Sequence, residues 1–172
     1  TDKLLISENN DFWFINQNGV LTSYKTAKNK LDLYPTTDNA ILTSAQLSEE
    51  KEIWLLSKSN KLLTFNIENK TFQEKELELP HNLDVSYITK MQISKHWIWL
   101  GSEYQGMTLI NRKTNEARIF DESNGLKNNF ISSILIDDKE NAWLSTNTGI
   151  SQINPFSSNV YNYGKDFAIN NS

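Results

Sequence analysis

The apolar positions of this chain gather in short runs that recur four times. Each run centres on a tryptophan: Phe12-Trp13-Phe14, Ile53-Trp54-Leu55, Ile98-Trp99-Leu100 and Ala142-Trp143-Leu144, at successive intervals of 41, 45 and 44 residues. Six or seven residues beyond each indole stands a residue type that tolerates positive φ (Gly19, Asn60, Gly106, Gly149), and each opens a second apolar segment. That is hairpin chemistry repeated in register. Upstream, Ile41–Ala45, Tyr87–Met91 and Phe130–Ile134 align as well, apolar first and fifth with Thr or Ser third. The first copy is shorter there, since Leu4-Leu5-Ile6-Ser7 matches Ile134-Leu135-Ile136-Asp137.

Each unit therefore predicts four short strands. In the last copy these are strand A at 130–137, B at 141–147, C at 149–154 and D at 159–163, separated by turn-forming stretches such as Asp137–Asn141 and Asn154–Asn159. The runs Phe12–Ile15 and Ile53–Leu56 are apolar without alternation, as expected of sheets covered on both faces. A repeat of this length made of strands points to β-propeller blades. The expected fold is all-β: about four four-stranded antiparallel blades in one propeller segment over 1–172, at about 1–39, 40–85, 86–128 and 129–172. The four tryptophans are expected in the core between blades. No long window has helical periodicity.

Composition narrows the function. A net charge of −4, with Lys and Arg scattered, leaves no basic stripe for a nucleic acid backbone. No apolar stretch approaches the roughly 18 residues of a membrane span. A chain beginning at Thr1 reads as processed or excised. The absence of cysteine permits an oxidising compartment and removes any thiol nucleophile. No Gly-x-Ser-x-Gly elbow or phosphate loop is present. The two histidines, His81 and His96, lie in different parts of one repeat and make a poor metal pair or dyad. The acidic turn Asp137–Asn141 lacks the alternating oxygen ligands and central glycine of a calcium loop; it reads as a solvated hairpin, as does its counterpart Ser48–Lys51. Glu74, Glu76 and Glu78 share one face of an outer strand, where charge serves solvation and edge protection. Trp97, two residues before Trp99, reads as packing. No catalytic residue, cofactor or metal is expected.

From Asn124 to Ile150 the chain carries Asn-Gly-Leu-Lys-Asn-Asn-Phe-Ile-Ser-Ser-Ile, then Asp137-Asp138, then Asn-Ala-Trp-Leu-Ser-Thr-Asn-Thr-Gly-Ile. This stretch closely resembles the two-component regulator propeller repeat. The third unit resembles it more loosely, through Trp99-Leu100-Gly101-Ser102 and Gly106; the first two are degenerate, with Asn60 in place of the family's glycine. The resemblance implies a partial ring of a seven-bladed propeller from the periplasmic ectodomain of a hybrid histidine kinase that senses an oligosaccharide and controls glycan utilisation. Kinase chemistry would then lie across the membrane.

Phase and loop chemistry complete the expectation. The tail, residues 164–172, matches Asp121–Asn129, so a fifth blade is expected and an open arc would leave two apolar blade faces for neighbouring blades of the parent or for a homodimer. A ligand should meet the loops where strand A begins. Candidates are Tyr34, Asn39, Asn82, Tyr87, Tyr104, Asn128 and Asn129, with His81 and Asn18 beside them. Amides and phenols suit a neutral polar ligand such as an oligosaccharide, although asparagines also cap turns. Two alternatives stand beside a sensor. One is a propeller lyase, with His81 and Tyr87 as its acid–base candidates. The other is an interaction propeller, whose Trp-Asp signature is absent here.

Overall fold

The computed structural model describes residues 4–16, 18–36, 40–48, 51–75 and 79–164. Four four-stranded antiparallel sheets hold the strands, each a meander in sequence order. Blade 1 comprises β1 (Leu5–Ile6), β2 (Phe12–Ile15), β3 (Leu21–Lys25) and β4 (Lys30–Tyr34). Blade 2 comprises β5 (Leu42–Leu47), β6 (Glu52–Ser57), β7 (Leu62–Asn66) and β8 (Thr71–Glu74). Blade 3 comprises β9 (Ile88–Ile93), β10 (Trp97–Ser102), β11 (Met107–Asn111) and β12 (Ala117–Phe120). Blade 4 comprises β13 (Ile131–Ile136), β14 (Ala142–Thr146), β15 (Gly149–Ile153) and β16 (Val160–Tyr163). The last four lie within the strands expected at 130–137, 141–147, 149–154 and 159–163. The expected tail match falls on residues outside those described, Gly164 excepted.

Turn chemistry sets the registers. Gly19, Asn60, Gly106 and Gly149 all take positive φ, at 72°, 60°, 74° and 138°. At Gly106 the requirement is double, because a Cβ there would also stand 2.1 Å from the Phe120 carbonyl oxygen. The turns between the first two strands of blades 1, 2 and 4 share one form. Ser7, Ser48 and Asp137 donate their N–H groups to Asp11, Glu52 and Asn141, with Asn10, Lys51 and Glu140 left-handed just before the return strand. This is a three-residue hairpin loop closed by an αL residue. Blade 3 is one residue shorter here, so Ser94 N–H meets Trp97 O directly at 2.9 Å.

The chain forms two compact units, 1–86 and 87–172, each with its own core. In the first, Leu5, Trp13 and Leu21 of blade 1 meet Ala45, Ile53, Leu55, Leu63 and Phe65 of blade 2. Trp13 stacks on Tyr34 at 5.5 Å and tilts against Phe65 at 5.6 Å. In the second, Trp97, Trp99, Met107, Leu109 and Phe120 of blade 3 meet Ile131, Ile134, Ala142, Leu144 and Ile153 of blade 4. Trp99 is wholly buried, and about 150–250 Å² of indole withdrawn from water contributes roughly 4–6 kcal/mol of transfer free energy before entropy is counted.

Alternation gives each blade two faces. The marker tryptophans share one face, here called the front, which in blades 1 and 3 packs on the next blade of the same unit, and the apolar residues flanking them lie on the rear face. Trp13 and Trp99 are covered in this way by blades 2 and 4, and Trp54 is buried too. Trp143 departs from the expectation of a buried tryptophan. It is only half-buried, because it occupies the front of blade 4 in register with Leu135 and Gln152, the face opposite the one packed on blade 3.

Candidate functional site

Within the second unit, sequence-distant residues converge where β9 begins. Tyr87 ends a 3₁₀ turn (Val85–Tyr87) just before β9, and Tyr104 sits in the turn between β10 and β11. The Glu103 N–H donates to the Tyr87 carbonyl at 3.0 Å, which fixes the turn beside the start of the inner strand. The two phenol rings then meet edge to face, with centroids 5.0 Å apart at 84°. Both remain open to solvent, Tyr87 at 41% and Tyr104 at 65%. Ser102 holds the turn from below, its Oγ accepting from the N–H groups of Tyr104 at 3.0 Å and Gln105 at 2.9 Å.

The β12–β13 loop adjoins this turn, since the Gly106 N–H donates to the Asn129 carbonyl at 3.0 Å. The loop is internally braced. A 3₁₀ turn at Glu122–Asn124 carries a capping box between Asp121 and Asn124, and Leu126 is buried in the blade 3–blade 4 core. Asn128 Oδ1 accepts from the Phe130 N–H at 3.0 Å, and Asn129 Oδ1 accepts from the Glu122 N–H at 2.9 Å. Glu122 returns the bond, its Oε1 accepting from the Asn129 N–H at 3.1 Å. Both asparagines are half-buried, and their side-chain oxygens hold the loop in shape. Glu122 was not a sequence candidate. The signal that could have found it is the Asp121-x-x-Asn124 cap, which orders the turn that carries it.

The remaining candidates lie elsewhere. Tyr34 closes β4, and its ring packs on Trp13 and Phe65 (4.9 Å from the latter), so it serves the first unit's core. His81 and Asn82 are exposed in the 79–83 turn of the first unit, where the Leu83 N–H bonds Pro80 O. Asn18 is exposed, its N–H donating to Asn16 Oδ1 at 2.9 Å. Asn39, Glu49, Glu50, Glu76 and Glu78 lie outside the described residues. The structure thus brings together Tyr87, Tyr104, Asn128 and Asn129.

Other polar groups resolve into braces. Asp137 accepts from Asn141 Nδ2 at 2.9 Å and from the Trp143 indole N–H at 3.1 Å; desolvation, which raises its pKa, is outweighed by these bonds and the carboxyl is held below its usual range. Trp97 is buried against Phe156 and beneath the Arg118 guanidinium, 5.1 Å from the ring centre. Glu74 pairs with Lys61 at 3.0 Å. Among the described residues no three His, Cys, Asp or Glu side chains cluster as a metal site would require, and no helix is long and apolar enough to cross a membrane.

Comparison with solved structures decides the fold. The chain superposes on the extracellular domain of a protein designated a hybrid two-component system from B. thetaiotaomicron, with TM-score 0.70, 18% identity and 93% of this chain against 21% of that one. A second such ectodomain from the same organism gives TM-score 0.65 at 14% identity, over 88% of this chain and 21% of the other. Virginiamycin B lyase from Staphylococcus aureus gives TM-score 0.69 at 18% identity, over 94% of this chain and 54% of the lyase. The fold is that of a partial β-propeller. No family model and no curated protein matches the chain. The propeller segment spans about a fifth of the length of the two-component ectodomains it resembles.

Proposed function

We propose that this propeller segment is a non-catalytic part of a periplasmic sensor ectodomain, that it binds a neutral oligosaccharide, and that it belongs to a hybrid two-component system regulating glycan utilisation. The observation that carries the proposal is the exposed edge-to-face pair Tyr87–Tyr104 on the loop face of blade 3. A phenol offers a stacking face to the apolar side of a sugar ring and a hydroxyl to its edge. The braced β12–β13 loop gives that platform a fixed neighbour. The resemblance at Gly125–Ile150 and the likeness to two-component ectodomains support the sensing role.

A lyase is the second reading, favoured by the likeness to virginiamycin B lyase. That lyase was solved with quinupristin as a histidine-to-alanine variant described as catalytically inactive. Of the acid–base candidates for that reading, His81 is exposed in the 79–83 turn of the first unit and Tyr87 stands in the tyrosine pair of the second; His96 lies in the β9–β10 turn, at the opposite end of blade 3 from Tyr87 and Tyr104, and is engaged by Glu140. The test is calorimetry of the purified protein, wild type and Tyr104→Ala, against a panel of neutral oligosaccharides. Binding that weakens in the variant without turnover is expected. Unchanged affinity in Tyr104→Ala would remove the platform from the site, and release of any glycan product would make the protein an enzyme.

A further inference from the structure

Three blades carry a β-bulge at the same place. Where β5, β9 and β13 begin, the pairing with the next strand slips by one residue: Leu42–Ser57 gives way to Ser44–Leu56, Ile88–Ser102 to Lys90–Gly101, and Ile131–Thr146 to Ser133–Ser145. The residue passed over is Thr43, Thr89 or Ser132, the Thr or Ser third position of each repeat. The blade 1 counterpart lies outside the described residues. A bulge leaves its extra residue out of the ladder and re-aims the side chain, so each of these blades sets one hydroxyl at the end where its first strand begins.

Two of the three hydroxyls serve their own blade. Thr43 Oγ1 donates to the Leu56 carbonyl at 3.1 Å. Ser132 Oγ is likewise engaged, 3.0 Å from both the Ser145 carbonyl oxygen and Ser145 Oγ. Thr89 departs from this pattern. Among the described residues its hydroxyl has no hydrogen-bond partner, and its side chain is exposed where Thr43 and Ser132 are half-buried. The blade in which the hydroxyl is left to solvent is the one that carries the tyrosine pair. Thr89 follows Tyr87 by two residues, at most about 7 Å of main chain, and Ile88 between them is buried. Both exposed side chains therefore leave the start of β9 on the side away from the core. The bulge lies opposite Gly101 and Ser102, and Ser102 Oγ accepts the Tyr104 N–H at 3.0 Å, so residues flanking the bulge anchor both rings. Blades 2 and 4 have Ile41 and Phe130 in place of Tyr87; where the phenol is absent, the hydroxyl is bound to the blade.

We infer that Thr89 Oγ1 is the hydrogen-bonding group of the Tyr87–Tyr104 platform, meeting a hydroxyl at the edge of the sugar ring that the phenols stack. This rests on the oligosaccharide reading above and adds the contact that selects among sugars. Stacking accepts any ring with an apolar side, whereas a group that both donates and accepts favours a ring with a hydroxyl beside that side. Since the sugar hydroxyl exchanges water for the protein, the contact is worth about three- to tenfold in affinity.

Thr89→Val removes the hydroxyl and keeps the shape, and Thr89→Ser keeps the hydroxyl. Urea midpoints and calorimetric affinities for cello-, malto- and xylo-oligosaccharides are measured on both, on Tyr104→Ala and on Thr43→Val. Thr89→Val should keep the wild-type urea midpoint and bind about three- to tenfold more weakly. Thr89→Ser should bind as the wild type does, and Thr43→Val should lose stability, because its hydroxyl is bonded to Leu56 O. A Thr89→Val midpoint lowered like that of Thr43→Val would show that the hydroxyl serves the fold, and would overturn the inference. Affinity that falls in Tyr104→Ala but holds in Thr89→Val overturns it too, while leaving the platform in place. If none of these sugars binds, or if affinity holds in Tyr104→Ala, the platform reading fails and this inference fails with it.

Discussion

Glu140 reaches from the β13–β14 turn to His96 in the β9–β10 turn. Its Oε1 accepts the His96 backbone N–H at 3.0 Å, and its Oε2 lies 2.5 Å from Nδ1. Blades 3 and 4 are thus fastened at the end of the sheets opposite the tyrosine pair. Partial burial raises the Glu140 pKa, but the bonds from His96 outweigh it and the carboxyl is held below its ordinary range. A depressed carboxylate contributes its stability above the unfolded pKa and loses it as pH falls through the folded one.

Glu140→Gln should therefore lower stability near neutral pH by about 1 kcal/mol, between the small effect of exposed pairs and that of charge-assisted hydrogen bonds. The difference from wild type should shrink as pH falls below about 4.3, the ordinary glutamate value. Urea denaturation at several pH values reads both, and a difference that grows with acidity would contradict the assignment.

The tryptophans should separate into two classes. Trp99→Ala removes a wholly buried ring and should lower stability by about 3–5 kcal/mol. Trp143→Ala removes a half-buried one and should lower it by about half as much in the monomer, because water already reaches part of the ring. Equal losses in dilute solution would mean that the two positions are equivalent and that blade 4 has no open front.

Much of this fold is legible in the sequence, and the physical reasons mark where legibility stops. The strands follow from apolar runs, and Gly106 announces its turn because no other residue type fits beside Phe120 O. Trp143 looks like its three counterparts since a repeat encodes a position within a blade; whether another blade covers it is a property of the neighbours. The loop candidates divide for a similar reason. Asn128 and Asn129 stand in the loop beside the Gly106 turn, yet residue type cannot say whether an amide faces solvent or a backbone N–H. Tyr34 lies one strand too early, ending β4, where an aromatic residue packs on Trp13.

Asp137 should be worth more than a surface carboxylate. It joins the Trp143 indole N–H to its own turn, whereas in blade 3 Ser94 Oγ does this for Trp99 at a longer 3.4 Å. Asp137→Ala should lower stability by about 1–3 kcal/mol, the range for stranding a hydrogen-bonded group. Asp137→Asn should recover part of the loss, because an amide oxygen in the same place can still accept the indole N–H. An asparagine variant no better than alanine would show that the indole bond contributes nothing.

The last prediction separates loop architecture from ligand contact. Asn129 exchanges two hydrogen bonds with Glu122 and passes its carbonyl to Gly106, so Asn129→Ala should loosen the loop. It should lower stability by about 0.5–1.5 kcal/mol, the net value of one such bond, and Glu122→Gln should fall in the same direction. Tyr104, 65% exposed and holding its turn through backbone atoms alone, should tolerate Tyr104→Ala with less than about 0.5 kcal/mol of change, as surface substitutions do. Its oligosaccharide affinity should nevertheless fall by about 0.5–1.5 kcal/mol, the scale of an aromatic contact. Measuring urea midpoints and calorimetric affinities on the same three variants gives two columns that should rank in opposite order. If Tyr104→Ala destabilises the fold as much as Asn129→Ala does, the tyrosine pair is packing, and the oligosaccharide platform must be sought elsewhere on the loop face.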